Sequence, residues 1–244
     1  MKKLIILPTF NERENIISLI KAILAEDASF DVLVVDDNSP DKTFEEVQNF
    51  INNGEHNDRV NLIVRDKKDG RGGAVRRGLE WAISTGKYDA YVEMDCDFSH
   101  PPTDIKKGVE LLKINDVVLG CRYPDGQIIG WPFKRKVLSY FGNFLARNLI
   151  SRRITDYTGG FRFYNATSAA FLCSRPQKYK GYIYLSETLS YLLSQKFKIG
   201  AFPIIFVNRE RGVSNTDFKE IFNSLKAIFL IGFEYKKLKL KKIF

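Results

Sequence analysis

Short apolar runs alternate with helix-spaced apolar residues through the first hundred positions. Leu4–Leu7 predicts a strand, and Glu14–Leu24 a helix with Ile16, Ile17, Leu19, Ile20 and Ile23 along it. Val32–Val35 and Val60–Val64 predict further strands around a helix at Phe44–Ile51, and Gly72–Ser84 predicts a helix before a fourth strand at Ala90–Met94. This alternation implies an α/β fold, a mostly parallel sheet with helices on both faces. Beyond Asp97 the pattern loosens. Asp116–Leu119 reads as a short strand, Pro124–Trp131 as a loop, Arg135–Ile150 as a helix and Ile199–Val207 as a late strand. Phe218–Phe233 reads as an amphipathic helix carrying Phe222, Leu225, Ile228, Phe229 and Phe233. The expected organisation is one domain over residues 1–217, then a C-terminal helix and basic tail over 218–244 that face a membrane or a partner.

Open sheets of this class bind ligands beyond the carboxyl ends of their strands. Those ends carry Pro8-Thr9-Phe10-Asn11-Glu12, Asp36-Asp37-Asn38-Ser39, Arg65-Asp66 and Asp95-Cys96-Asp97. Asp95 and Asp97 can converge on one divalent cation and, through it, on a diphosphate. Taken alone, such a pair is more often a solvated loop. Asp36 and Asp37, with Asn38, Ser39 and Asp41, read from the residues alone as turn-forming and helix-capping chemistry.

Charge and cysteine content narrow the partners. A formal net charge of +9 favours nucleic acid, an anionic membrane or a phosphorylated substrate. The basic residues are scattered and the acidic pairs sit at strand ends, which argues against nucleic acid. Cys96, Cys121 and Cys173 are widely spaced and form no C-x-x-C pair, so neither a disulfide scaffold nor a zinc site is expected, and a reducing cytosol is. Four apolar residues before Pro8 are too few for a signal peptide. The longest late apolar run, Ala227–Phe233, falls far short of the ~20 residues that span a bilayer.

Eight segments stand in one order: PTFNERENI at 8–16, VVDDNSPDKT at 34–43, KDGRGGAVRRG at 68–78, MDCDFSHPP at 94–102, GCRYPDG at 120–126, GWPFKR at 130–135 with Ser139, DYTGGFRFY at 156–164 and FVNRERGVSN at 206–215. The set resembles the family 2 inverting glycosyltransferases with a GT-A (Rossmann-like) fold. Within them it is similar to the polyprenyl-phosphate sugar transferases of the dolichyl-phosphate mannose synthase type. The resemblance implies that Pro8, Phe10, Glu12, Val35 and Asp37 hold the donor's base and ribose. It implies that Asp95 and Asp97 carry Mg²⁺ or Mn²⁺, with Ser99 near the ion and Cys96 contributing backbone. Arg122, Arg135 and Ser139 match positions that hold an acceptor phosphate and, with Asp97, form the implied catalytic set. Arg209 matches a position that grips the donor diphosphate.

The implied donor is GDP-mannose or UDP-glucose, and the implied acceptor a polyprenyl phosphate at the cytosolic face of an anionic membrane surface. The C-terminal helix and tail, or an anchoring partner chain, would reach that membrane. The alternative is a transferase of the same fold that elongates a cell-surface glycan, with Asp156 as base on a hydroxyl. A phosphate acceptor, whose second pKa is about 6, needs less help, and Asp156 then orients its loop. His100 is read as fixing the Pro101-Pro102 loop rather than as a base. Gly70-Arg71-Gly72-Gly73 replaces the Gly-Leu-Gly run of mannose-type relatives, and Ser214-Asn215 replaces Ser-Lys, which leaves sugar and nucleotide open.

Overall fold

The computed structural model describes residues 2–54, 56, 58–208 and 218–240. Five parallel strands appear where apolar runs predict them: β1 (Lys2–Thr9), β2 (Phe30–Asp36), β3 (Val60–Val64), β4 (Tyr88–Glu93) and β5 (Val117–Cys121). β2 is buried at every position, as a central strand with both faces covered must be. Between them run α1 (Ile16–Glu26), α2 (Thr43–Asn52), α3 (Arg71–Thr85) and α4 (Asp104–Leu111). A late segment adds α5 (Phe133–Leu149), β7 (Arg162–Asn165), α6 (Ala166–Ser174), α7 (Tyr184–Ser194) and β8 (Ile199–Pro203).

The main sheet has seven strands in the order β3-β2-β1-β4-β7-β5-β8. Chain progression moves outward from β1 to β3, then α3 returns it to β4 on the other side of β1. That reversal is the switch point at which an open sheet splays its loops apart and leaves a crevice. β7 is antiparallel to both β4 and β5, so the sheet is mixed although mostly parallel. The apolar run at Ile199–Val207 divides: β8 stays in the main sheet, while β9 (Ile205–Val207) pairs in parallel with β6 (Gln127–Ile129). After Pro203 the Ile204 amide still donates to the Cys121 carbonyl at 3.0 Å while the Ile204 carbonyl accepts from the Gln127 amide at 2.9 Å, so the chain changes partner from β5 to β6 at Ile204.

Each face of the sheet has its own apolar cluster. One joins α3, α6 and α7 to Ile228, Ile231 and Tyr235 of the last helix, α8 (Phe218–Leu240). The other joins α1 and α4 to β2 and to Phe161 and Phe163. Gly108 of α4 lies directly on β7; a Cβ there would come 2.2 Å from the Phe163 ring. α8 buries Ala227, Ile228, Ile231 and Tyr235 and exposes Phe229, Leu230 and Phe233. Its neighbour α5 exposes Phe133, Val137, Tyr140, Phe141 and Phe144. No helix among the described residues is long and apolar enough to cross a membrane.

Candidate active site

A cleft opens at the carboxyl ends of β1, β2 and β4, lined by Pro8, Phe10, Glu12, Asp37, Lys68, Asp95, Cys96 and Asp97. The paired aspartates after β2 have separate tasks. Asp36 is fully buried and accepts from the Thr9 hydroxyl at 2.8 Å, the Ser39 amide at 2.8 Å and the Ser39 hydroxyl at 2.7 Å, so it builds the turn. Asp37 faces the cleft. Its Oδ2 accepts from the Asp69 amide at 3.2 Å, and its Oδ1 lies 3.2 Å from Arg65 Nη1. Burial raises its pKa, and Arg65 pulls the other way. Lys68 covers the Phe10 ring at 3.9 Å, which puts a cation beside the aromatic face where a base would stack. Val35 lies behind this cleft, fully buried in β2.

Asp95 and Asp97 follow β4. The Asp97 Oδ1 accepts from the Ser99 amide at 3.1 Å, and the buried Ser99 hydroxyl has no hydrogen-bond partner among the described residues. A buried hydroxyl next to Asp97, with the Asp95 and Asp97 carboxylates lining one cleft, offers hard oxygen donors of the kind that suit Mg²⁺ or Mn²⁺. No group of three or more His, Cys, Asp or Glu side chains able to hold a metal occurs among the described residues. A cation here therefore takes the rest of its shell from water and ligand phosphate. Cys96 is a filler: burial pushes its thiol pKa up, and Sγ donates to the Pro8 carbonyl at 3.3 Å. Burial pushes His100 down, so its imidazole is neutral; Nδ1 accepts from the Asp95 amide at 3.2 Å while the ring stacks on Phe161. His100 shapes the loop.

Beyond the aspartates the segment 156–160 forms a wall. Asp156, buried, holds Arg122 by a two-pronged ion pair, Nε–Oδ2 and Nη2–Oδ1 both at 2.8 Å, and also accepts from the Arg122 and Thr158 amides at 3.1 Å each. Burial alone would raise the Asp156 pKa, but the Arg122 charge and these hydrogen bonds hold it at about 2. Further along, the Gly160 carbonyl accepts from Arg71 Nη2 at 3.0 Å, and Arg71 Nε donates to Asp95 Oδ1 at 2.8 Å. A Cβ at Gly160 would sit 2.8 Å from Arg71 Nη2, so this contact requires glycine. An apolar groove of about 620 Å³ runs along α5, lined by Tyr123, Pro124, Val137, Tyr140, Phe141 and Phe144, with Arg122, the partner of Asp156, also in its lining.

Residues 4–171 match the model of glycosyl transferase family 2. This chain belongs to that family. An undecaprenyl-phosphate mannosyltransferase of Micrococcus luteus is 34% identical over 215 residues, covering 88% of this chain and 87% of the relative. A polyprenol monophosphomannose synthase of Mycolicibacterium smegmatis is 33% identical over 215 residues, covering 87% and 80%. Among solved structures, glucosyl-3-phosphoglycerate synthase of Mycobacterium tuberculosis with Mn²⁺, UDP and glucosyl-3-phosphoglycerate superposes with a TM-score of 0.67 at 17% identity, covering 96% of this chain and 79% of that one. The same enzyme with phosphoglyceric acid superposes equally well, with a TM-score of 0.67. These structures establish the shared fold, and they correct one expectation. Those enzymes carry phosphoglyceric acid or its glucosylated product and not a polyprenyl phosphate, so the polyprenyl phosphate expected from the sequence is withdrawn as acceptor, and with it the argument that acceptor chemistry demands a membrane or an anchoring chain.

In this family 2 glycosyltransferase the structure gathers Pro8, Phe10, Glu12, Asp37, Asp95, Cys96 and Asp97 in one cleft, with Ser99 behind Asp97. Arg122, Arg135 and Ser139 gather instead around Tyr123 and Trp131. The Arg135 guanidinium lies 4.0 Å from the Trp131 ring centroid and that of Arg122 5.4 Å, and the Tyr123 hydroxyl donates to Ser139 Oγ at 3.3 Å. Arg209 lies outside the described residues. Sequence reasoning missed Arg71, Glu93, Arg162 and Tyr184. Glu93 and Arg162 are register partners on β4 and β7, both fully buried, and Arg162 holds the Tyr157 and Gly159 carbonyls at 3.0 Å each. Their signal was a charge inside each of two apolar runs, Val92-Glu93-Met94 and Phe161-Arg162-Phe163.

Proposed function

We propose that this glycosyltransferase moves a hexose, with inversion, from a nucleoside-diphosphate sugar to a hydroxyl of a small acceptor that also carries a phosphate. One observation carries the reading: Asp37 and the Asp95–Asp97 pair open into one cleft at the sheet's switch point. Asp37 accepts from the base or ribose; Asp95, Asp97 and Ser99 hold Mg²⁺ or Mn²⁺. The bound cation neutralises charge on the departing diphosphate. The acceptor oxygen attacks the anomeric carbon from the face opposite the diphosphate, the glycosidic C–O bond breaks, and its electron pair leaves with the nucleoside diphosphate.

The attacking hydroxyl must lose a proton. Asp156 is a poor recipient, with a pKa of about 2 and five donors already on its oxygens, three from Arg122 and two from Thr158. The acceptor's own phosphate, with a second pKa of about 6, is the stronger base, which is why the proposed acceptor is phosphorylated. The phosphoglycerate held by the solved relatives is of this type, and mannose and glucose are the hexoses named for the relatives. Purified full-length chain with Mn²⁺ is to be offered GDP-mannose and UDP-glucose separately, against phosphoglycerate, a neutral oligosaccharide and a polyprenyl phosphate. Product of inverted anomeric configuration on phosphoglycerate is expected. Product confined to either other acceptor overturns the reading.

Peripheral attachment to a membrane belongs to the same proposal. It is supported by the exposed Phe133, Tyr140, Phe144, Phe229 and Phe233 on the adjoining α5 and α8, next to Lys236, Lys237 and Lys239. Sedimentation with phosphatidylglycerol vesicles should deplete the wild type and spare Phe133→Ser/Phe233→Ser. Equal recovery of both from the supernatant would refute attachment.

A further inference from the structure

Arg71 is the first residue of α3, and its backbone has no freedom to move away. The preceding Gly70 has φ +79°, and a Cβ there would lie 2.4 Å from the Lys180 carbonyl. The Gly72 amide donates to that same carbonyl at 2.7 Å. The side chain is as constrained as the backbone. It is 7% exposed, and its guanidinium donates to Asp95 Oδ1, to the Gly160 carbonyl, to Glu93 Oε2 at 3.3 Å and to the Tyr184 hydroxyl. Tyr184 in turn donates to Glu93, and Glu93 accepts from Tyr164 at 3.0 Å. One planar fork therefore joins the first carboxylate of the candidate cation pair to the wall at 156–160, on a base of buried hydrogen bonds.

We infer that Arg71 is the positioning residue of the cation site: it fixes the plane of the Asp95 carboxylate and locks that carboxylate to the 156–160 segment through the Gly160 carbonyl. The inference rests on the cation reading of the proposed function. Residues behind a metal ligand set its orientation, and losing one costs ~10- to 100-fold in metal affinity. A lysine at this position keeps the charge but supplies no fork for Asp95 and Gly160 together.

The test is Mn²⁺ binding followed by electron paramagnetic resonance with UDP or GDP present and no acceptor, together with the melting temperature. Wild type is compared with Arg71→Met, Arg71→Lys and Asp97→Asn. Arg71→Met should bind Mn²⁺ roughly 10- to 100-fold more weakly, with Arg71→Lys between it and wild type. Arg71→Lys retains a cation beside Glu93, so the series stays informative if Arg71→Met fails to fold. Wild-type Mn²⁺ affinity in Arg71→Lys and Arg71→Met, whatever their melting temperatures, overturns the inference and leaves Arg71 a packing residue. Tighter binding in either overturns it too, since Arg71 would then compete with the ion. If Asp97→Asn also binds Mn²⁺ like wild type, the cation reading itself has failed, and the two failures are told apart.

Discussion

Asp156→Asn is expected to destabilise the protein by about 3–5 kcal/mol, the usual loss when one member of a buried ion pair is removed. Arg122 is then left 5% exposed with its Nε and Nη2 donors facing a neutral amide instead of two carboxylate oxygens. For a chain of this size the melting temperature should fall on the order of 10 °C at neutral pH. The pH dependence supplies the sign. The folded pKa of Asp156 is about 2, below the ordinary 3.8, so its contribution is present in full above pH 4 and disappears as pH falls toward 2. The shift corresponds to about 2 kcal/mol. Wild type should therefore lose stability steeply between pH 4 and 2, and the Asn variant should lose less over that interval. Replacing both partners, Arg122→Met with Asp156→Leu, should recover much of the neutral-pH loss, because no uncompensated charge stays buried. Calorimetric scans of the three proteins at pH 7, 4 and 2.5 check this. A single variant melting within a degree or two of wild type would show that the pair contributes little.

That pair also marks where the sequence stops being readable. β1 to β4 are legible because each is a short apolar run between helix-spaced segments, and the acidic ends of those runs locate the cleft at Asp37, Asp95 and Asp97. β7 is not legible. It is four residues long, opens on the charged Arg162, and is inserted antiparallel between strands distant in sequence. Glu93 and Arg162 read as misplaced charges until the register sets them opposite each other. Arg122 and Asp156 stand 34 positions apart, and no periodicity connects them. Resemblance therefore gave them separate roles, Arg122 a phosphate grip and Asp156 an orienter of its loop or, in the alternative, a base, whereas folding joins them in one buried unit with few free lone pairs. The run at Ile199–Val207 misled for a local reason: apolar content continues through it while its hydrogen-bond partner changes from β5 to β6 at Ile204.

Asp97→Asn is expected to abolish sugar transfer with little cost to the fold. The substitution keeps an Oδ1 able to accept the Ser99 amide, which lies 3.1 Å from it in the wild type, so the turn after β4 survives. It removes one of the two negative charges that the cleft offers a cation, and the orphaned Ser99 hydroxyl cannot replace a charge. With the ion weakly held, the departing diphosphate keeps its charge in the transition state, and catalysis should fall by roughly a hundredfold or more. Asp95→Asn is the less clean variant, because it breaks the Arg71 ion pair at 2.8 Å as well as removing the proposed metal contact. The comparison separates chemistry from architecture. Asp97→Asn should melt near wild type with transfer lost, whereas Asp95→Asn should lose transfer and also melt lower, with Arg71 left facing a neutral amide. Initial rates across a Mn²⁺ titration decide between a weakened site and an absent one. A rate that recovers at high Mn²⁺ means that Asp97 contributes affinity alone. A rate that stays low at every concentration means that the carboxylate shapes the transition state as well. Full activity in Asp97→Asn at all Mn²⁺ concentrations would refute the assignment of the pair to the diphosphate.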